Sequence, residues 1–87
     1  MNQYMVVSTF RADTVMSEVL QHVEAEKAKV AQLQEAGRLG GIRLAVPRGK
    51  VFLDVFAEDE TGAAATVLEL PMSAWWDLEV YPLSGTA

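Results

Sequence analysis

The stretch LGGIRLAVPRGKVFLDVFA, residues 39–57, contains the clearest sign of the fold. Two runs of mostly aliphatic and aromatic residues, Leu39–Val46 and Val51–Ala57, have the composition of β-strands. Between them, Pro47 fixes φ near the value that a turn needs, and Gly49 can adopt a positive φ. The segment therefore predicts a β-hairpin.

The residues before the hairpin predict a strand followed by a helix. Tyr4–Phe10 is rich in β-branched and aromatic side chains, which is typical of a strand. After it, Asp13 or Thr14 can cap a helix by accepting a hydrogen bond from a free backbone N–H. Gly37 suits the left-handed position that follows a helix end. Between these limits, apolar residues recur every three or four positions, as on one face of a helix: Val15, Val19, Val23, Val30 and Leu33.

The residues after the hairpin repeat this order in reverse. Residues 58–61, EDET, place carboxylates where they interact favourably with the start of a helix. Ala63–Leu70 predicts a short Ala-rich helix, which Pro71 ends. Trp76–Leu83 alternates in polarity and predicts the last strand. Residues 84–87 are expected to form a frayed tail.

The predicted order is strand, helix, strand, strand, helix, strand. Two βαβ-like halves in one chain indicate an α+β fold of the ferredoxin-like βαββαβ type, with a four-stranded antiparallel sheet. With 87 residues, the chain is long enough for one domain, residues 1–87, and not for two. A core of this size is thin, and oligomerisation commonly compensates for that.

Each predicted strand has one aliphatic face, expected to lie under the helices, and one face of mixed character. An exposed patch with aromatic side chains usually marks an interface. We therefore expect two sheets to pack face to face, with Arg43 near the carboxylates of Asp54, Asp77 or Glu79. The alternative is a solvated sheet face with scattered aromatic residues. The residues of the mixed faces include Phe52, Asp54, Phe56, Asp77, Glu79 and Tyr81.

Composition excludes several classes of function. The net charge is −5 and the basic residues are scattered, so binding to nucleic acid or to an anionic membrane surface is not expected. The chain has no Cys and only one His, which argues against disulfides and against a metal site. Neither a signal peptide nor a membrane-spanning run is predicted, so a cytoplasmic location is expected.

The segment LPMSAWWDLEVYPL, residues 70–83, resembles the C-terminal signature of muconolactone isomerases. Those chains carry Leu-Pro, a short aromatic-bearing spacer, and then Asp-x-Glu-Val-x-Pro-Leu. The pair Glu26-Lys27, eleven residues before Gly37, also matches a Glu-Lys pair of that family. The resemblance covers residues 20–83. The segment 38–50 departs from it, because it is small and aliphatic where the family carries His, Trp and Tyr.

The resemblance implies a ferredoxin-like subunit whose sheet pairs with that of a second copy to form a dimeric α+β barrel. It also implies a homodimer or a higher homo-oligomer. The activity that it implies is a cofactor-free isomerisation that moves a proton on an unsaturated lactone. In that family the glutamate and the lysine are the proposed acid–base pair, and these roles fall here on Glu26 and Lys27.

The residues themselves also single out Glu26. It is a carboxylate in the centre of the apolar stripe at positions 19, 23, 26, 30 and 33. Burial would raise the pKa of Glu26 towards the value that a general base needs near neutral pH. In the alternative interpretation, Glu26 lies at the edge of the stripe and reaches solvent or pairs with Arg43.

Two more candidates lie on the same helix. Lys27 could polarise a carbonyl or bind a carboxylate, although it lies about 100° around the helix from Glu26; a solvated lysine is the alternative. His22 lies one turn before Glu26, where it could contact the substrate, tune the carboxylate or relay a proton. A structural or exposed histidine is the alternative.

The remaining candidate substrate-binding residues lie outside that helix. Arg43 could hold an anionic group of the substrate or satisfy an internal carboxylate. Trp75 and Trp76 face opposite ways if both lie in a strand. One of them would then pack under a helix, and the other would line a pocket or an interface.

These observations predict a pocket for a small molecule between the first helix and the sheet, with no cofactor and no metal. The favoured function is a muconolactone-isomerase-type proton shift with Glu26 as acid and base. A cofactor-free cyclase or monooxygenase acting on a polyketide-like aromatic compound is an alternative. A ligand-binding or accessory module without catalysis is another.

Overall fold

In the computed structural model, which describes residues 1–84, the segment 39–57 forms the predicted hairpin. Strand β2 (Leu39–Ala45) pairs antiparallel with β3 (Lys50–Ala57). A short 3₁₀ turn, Val46–Arg48, connects them, and Gly49 has a left-handed φ of 63°. The last three positions of the expected frayed tail, 85–87, lie outside the described residues.

The other two strands complete one four-stranded sheet. Strands β1 (Asn2–Phe10) and β4 (Trp76–Leu83) join the hairpin in the order β2-β3-β1-β4, and every neighbouring pair is antiparallel. The predicted α+β class with a four-stranded antiparallel sheet is confirmed. The topology is compatible with a ferredoxin-like fold.

The prediction of a single long helix is wrong. The chain forms two helices there, α1 (Met16–Leu20) and α2 (Val23–Glu35). The backbone N–H of Gln21 donates to Glu18 O and that of His22 to Val19 O. Both bonds span three residues, so the end of α1 tightens and the α-helical ladder stops there. The stripe of apolar residues continues across this break.

The predicted N-cap is also wrong. The cap position of α1 is Val15, which has no side-chain capping bond. The N–H of Thr14 donates to Arg11 O at 3.0 Å and closes a turn, so the helix starts after this turn rather than at Asp13 or Thr14.

The predicted end of the helix at Gly37 is confirmed. Gly37 has φ of 74° and donates its N–H to Gln34 O at 3.1 Å. Arg38 N–H donates to Leu33 O at 3.0 Å, which completes a Schellman motif. The motif satisfies two carbonyls at the end of α2 and directs the chain into β2.

Helix α3 (Glu60–Leu68) begins within the acidic segment, as predicted. Asp59 is the N-cap, and its side chain accepts a hydrogen bond from Gly62 N at 2.7 Å. The helix starts three residues before the predicted Ala63 and stops two residues before the predicted Leu70. Pro71 then occupies the first position of a 3₁₀ turn, Pro71–Trp75, which leads into β4.

The helices lie on one face of the sheet and form the core with it. Val6, Leu53 and Val55 on that face are fully buried. Neighbouring strand residues alternate away from the helices, and among them Val7 and Phe52 are only partly buried. Within residues 1–84, no helix covers this second face, which we call the open face. No helix in that range is long and apolar enough to cross a membrane.

Ion pairs between side chains on the helix side of the sheet link α2 to the end of α3. Glu69, just after α3, pairs with Lys29 at 3.2 Å and with Arg38. Arg38 also donates to the hydroxyl of Thr66, which is buried. Hydrogen bonds from Arg38 and then from Lys29 lower the pKa of the Glu69 carboxyl.

Candidate active site

The carboxylate of Glu26 is half-buried and bonded to the backbone of a distant segment. Met72 N–H donates to Glu26 Oε1 at 2.9 Å. Met72 is the second residue of the 3₁₀ turn Pro71–Trp75, where backbone N–H groups have no partner within the turn. The carboxylate therefore satisfies a donor at the N-terminal end of that turn.

Two opposing effects act on the protonation of Glu26. Burial raises the pKa of the Glu26 carboxyl above its usual 4.5, and the hydrogen bond from Met72 opposes the rise. Burial is the larger effect, because the charged form loses solvation that one hydrogen bond only partly replaces. The pKa thus moves in the direction that favours proton exchange nearer to neutral pH.

Glu26 lies in the wall of a pocket of about 230 Å³ between α2 and the β2–β3 hairpin. The ionisable side chains among its lining residues are Glu26 and Lys27. We call this the Glu26 pocket. Its other lining residues are apolar or aromatic: Val23, Val30, Ile42, Leu44, Val51, Leu53, Met72 and Trp76.

A second pocket, of about 280 Å³, adjoins the first. Leu44, Val51 and Met72 line both pockets, so the two share part of their walls. We call it the Leu20 pocket. Its remaining lining residues come from the end of β1, from α1 and from the hairpin turn: Phe10, Met16, Val19, Leu20, Val46, Gly49 and Lys50.

Three of the six site residues that the sequence indicates meet at the Glu26 pocket: Glu26, Lys27 and Trp76. Trp76 is 5% exposed and packs edge-on against Phe10, with ring centroids 5.8 Å apart. Its buried indole N–H has no hydrogen-bond partner within residues 1–84. An unpaired buried donor is costly, and because this nitrogen is not accessible to solvent it does not face the pocket.

His22 and Trp75 lie beside each other, outside the described lining of both pockets. Their ring centroids are 5.3 Å apart and tilted by 53°. His22 is exposed, and its carbonyl accepts the N–H of Glu26 at 2.8 Å. The backbone of His22 thus bonds to the backbone of Glu26, whereas the ring of His22 packs on Trp75.

The structure places Arg43 away from Glu26. Arg43 lies opposite Phe52 in the β2–β3 register, whereas Ile42 and Leu44 on either side of it line the Glu26 pocket. Alternation along a strand puts the Arg43 side chain on the open face. An Arg43–Glu26 pair is therefore excluded within one chain. Among the described residues, the cation that pairs with Asp77 is Arg11 rather than Arg43, at 3.7 Å.

Two features of the site are missing from the predictions drawn from the sequence. One is Met72, whose N–H fixes the carboxylate and whose side chain lines both pockets. The other is Arg11, which donates to the carbonyls of Trp76 and Ala74. Arg11 N–H also donates to Trp75 O at 3.0 Å. Local sequence patterns could not identify either role, because Met72 binds a carboxylate and Arg11 binds backbone carbonyls of residues far away in the sequence.

No cluster of His, Cys, Asp and Glu that could hold a metal ion occurs in the part of the chain that the structure describes. Compared with protein-family models and with curated proteins, the sequence gives no significant match to either.

Proposed function

We propose that this protein is a cofactor-free isomerase that moves a proton on an unsaturated lactone or a related cyclic substrate. One observation carries the proposal: Glu26 is a half-buried carboxylate with a raised pKa in the wall of an otherwise mainly apolar pocket. The resemblance of residues 70–83 and of Glu26-Lys27 to muconolactone isomerases supports the same reaction class. An enzyme that shifts a double bond needs one group that takes a proton from carbon and returns it to another carbon.

In the proposed reaction, Glu26 removes a proton from the carbon next to the lactone carbonyl. The electron pair of that C–H bond moves into the carbonyl and gives a dienolate. Protonated Glu26 then delivers the proton to the far carbon of the dienolate, so the double bond shifts and the composition is unchanged. The bond from Met72 N–H engages Oε1 and leaves Oε2 for the substrate.

The dienolate oxygen carries negative charge that the site has to stabilise. Lys27, which lines the same pocket, supplies a positive charge. The ammonium of Lys27 is also a hydrogen-bond donor. Such donors contribute most where the surroundings are apolar, because they then compete with little water.

The test uses a β,γ-unsaturated γ-lactone, 5-methyl-2(3H)-furanone, in D₂O, with NMR detection of deuterium incorporation and of the conjugated isomer. We expect wild-type protein to catalyse both. Glu26→Gln keeps an oxygen acceptor for Met72 N–H but cannot act as a base, and we expect a loss of about 10²-fold or more. Glu24→Gln, at an exposed position on the same helix, is the matched control and is expected to retain activity. Equal rates for wild type and Glu26→Gln would remove Glu26 from the reaction.

A binding module without catalysis is the second candidate, because the Glu26–Met72 bond also has a structural use. It joins α2 to the turn before β4. If wild-type protein binds the lactone but incorporates no deuterium, while Glu26→Ala lowers the stability much more than Glu26→Gln, the carboxylate is structural. That result would favour the binding module.

The proposal includes a homodimer in which the open faces of two sheets pack together as an α+β barrel. The open face carries partly buried apolar residues, among them Met5, Val7, Phe52 and Phe56. In a single chain these side chains are not covered by a helix of the described residues. A second copy would remove this surface from water, which is favourable in proportion to its apolar area.

A further inference from the structure

The side-chain lining of the Leu20 pocket is almost entirely apolar. Lys50 is the one ionisable residue among its described lining residues. The ammonium of Lys50 donates to Thr9 Oγ1 at 2.9 Å, and both residues alternate with the core residues of their strands. The charge of Lys50 is therefore held on the open-face side of the sheet, and the pocket offers no charged group to a ligand.

The Leu20 pocket adjoins the place where the proposed chemistry occurs. Its walls share Met72 with the Glu26 pocket, and Met72 N–H holds the Glu26 carboxylate. Methionine is flexible and adapts its shape to what packs against it. A molecule with its reactive ring at Glu26 can therefore extend past Met72 into the second pocket.

The size of the Leu20 pocket suits a substituent rather than a solvent molecule. An apolar cavity of about 150 Å³ is large enough for benzene. The Leu20 pocket measures about 280 Å³. It has room for an alkyl chain of several carbons or for an aryl group.

Unusual exposure of apolar side chains at this pocket supports the same conclusion. Leu20 is 61% exposed, Leu44 66% and Val46 76%. All three line the Leu20 pocket. Apolar residues that cluster around a groove are typical of a ligand-binding or interaction site, because water contact with them is unfavourable.

We propose that the substrate carries an apolar substituent, an alkyl chain or an aryl group, that occupies the Leu20 pocket while the ring to be isomerised lies at Glu26. This inference rests on the proposed function for the position of the ring. It narrows the proposed substrate class from any unsaturated lactone or related ring to those that carry a hydrophobic substituent.

The experiment measures binding without turnover. Saturated γ-lactones with a methyl, propyl or pentyl group at C5 cannot undergo the double-bond shift, and calorimetry gives their affinities for wild-type protein. Burial of each added CH₂ is expected to tighten binding about fourfold, so the pentyl compound, with four more CH₂ groups, should bind up to about 250-fold tighter than the methyl compound. Affinities that do not change with chain length would overturn the proposal.

Two variants locate the effect. Leu20→Lys places a charge at the Leu20 pocket and not at the Glu26 pocket, so we expect it to abolish the gain with chain length. Leu68→Lys is the matched control, because Leu68 is 58% exposed on α3 and lines neither pocket. A chain-length effect that persists unchanged in Leu20→Lys would contradict the proposal.

Two further readouts separate this proposal from other outcomes. Sedimentation of Leu20→Lys tests whether the groove is instead covered by a second copy of the chain; dissociation of an oligomer by this variant would overturn the substituent proposal. The deuterium experiment tests catalysis independently. Chain-length-dependent binding without deuterium incorporation would support the apolar pocket and reject the isomerase.

Discussion

The backbone N–H of Met72 donates to Glu26 Oε1 at 2.9 Å, across 46 positions of the sequence. This bond joins α2 to the 3₁₀ turn Pro71–Trp75 that precedes β4. It explains physically why a carboxylate in an apolar helix stripe and a proline-initiated turn occur together: the turn presents a free N–H, and the carboxylate accepts its hydrogen bond. The same contact holds the proposed base in place.

The stability of the protein should depend on the ionisation of Glu26. Because the folded-state pKa of Glu26 is raised above 4.5, the folded protein holds this proton more tightly than the unfolded chain does. The free energy of unfolding therefore has a contribution from Glu26 that is lost as pH rises from the unfolded pKa through the folded pKa. Relative to wild type, Glu26→Gln should become more stable as pH rises through this window.

Urea unfolding at several pH values from 4 upward checks this prediction. Glu24→Gln, at an exposed position on the same helix, is the matched control and should not gain stability relative to wild type as pH rises. A difference between Glu26→Gln and wild type that stays constant with pH, or that moves in favour of wild type as pH rises, would contradict a raised pKa.

Glu69 should show the opposite dependence on pH. Arg38 and Lys29 lower the pKa of Glu69, so its contribution to stability is present above the unfolded pKa and is lost as pH falls through the folded pKa. Glu69→Gln should therefore lose less stability on acidification than wild type does. Thermal melts between pH 3 and 7, with Glu35→Gln as an exposed control, measure this difference.

Arg11 should stabilise the start of β4 through carbonyl oxygens rather than through its ion pair. It donates to the carbonyls of Trp76 and Ala74, whereas its partner Asp77 is 3.7 Å away and has a side chain 76% exposed. Arg11→Gln should lower the free energy of unfolding by about 1–3 kcal/mol, because hydrogen bonds from a charged donor are lost. Asp77→Asn should change it by no more than about 1 kcal/mol. Equal effects of the two variants in urea unfolding would reject this assignment.

Gly37 should resist substitution because of its backbone conformation. Its φ of 74° lies in the left-handed region, where an L-residue costs about 1–2 kcal/mol, so Gly37→Ala should lower stability by about this amount. Gly41→Ala is the control: Gly41 has no positive φ, and the nearest described atom to an added Cβ is Asp54 Oδ2 at 3.6 Å. Gly41→Ala should be neutral or stabilising. Comparable losses in both variants would mean that strain at φ is not the cause.

The proposed dimer makes a prediction about the open face. Val7 lies on this face in the central strand β1, between Phe52 and Glu79. Val7→Lys should shift the protein from dimer to monomer in sedimentation without loss of its circular dichroism signal, because a charge at the centre of an apolar interface is unfavourable. Ala65→Lys, exposed on the helix side, should leave the dimer intact. A wild-type protein that sediments at 9.5 kDa at micromolar concentration would reject the dimer.

Much of the fold could be predicted from local patterns. The hairpin turn, the glycine at the end of α2, the helix start within the acidic segment 58–61 and the bounds of β4 all follow from residues close together in sequence. The break between α1 and α2 could not, because Gln21 and His22 are ordinary residues within a helix. The ring of His22 packs on Trp75, 53 positions away, and periodicity carries no information about such a contact.

The sequence by itself determined that the chain forms an antiparallel sheet with helices, and that Glu26 is a carboxylate within an apolar helix stripe. Both follow because strand alternation and helical spacing are local properties. The tertiary structure alone decided what surrounds that carboxylate. It brought Met72 N–H to Glu26, put Trp76 into the same pocket and left Arg43 on the open face. It also placed the Leu20 pocket beside the Glu26 pocket, because pockets form where elements far apart in sequence fail to fill the space between them.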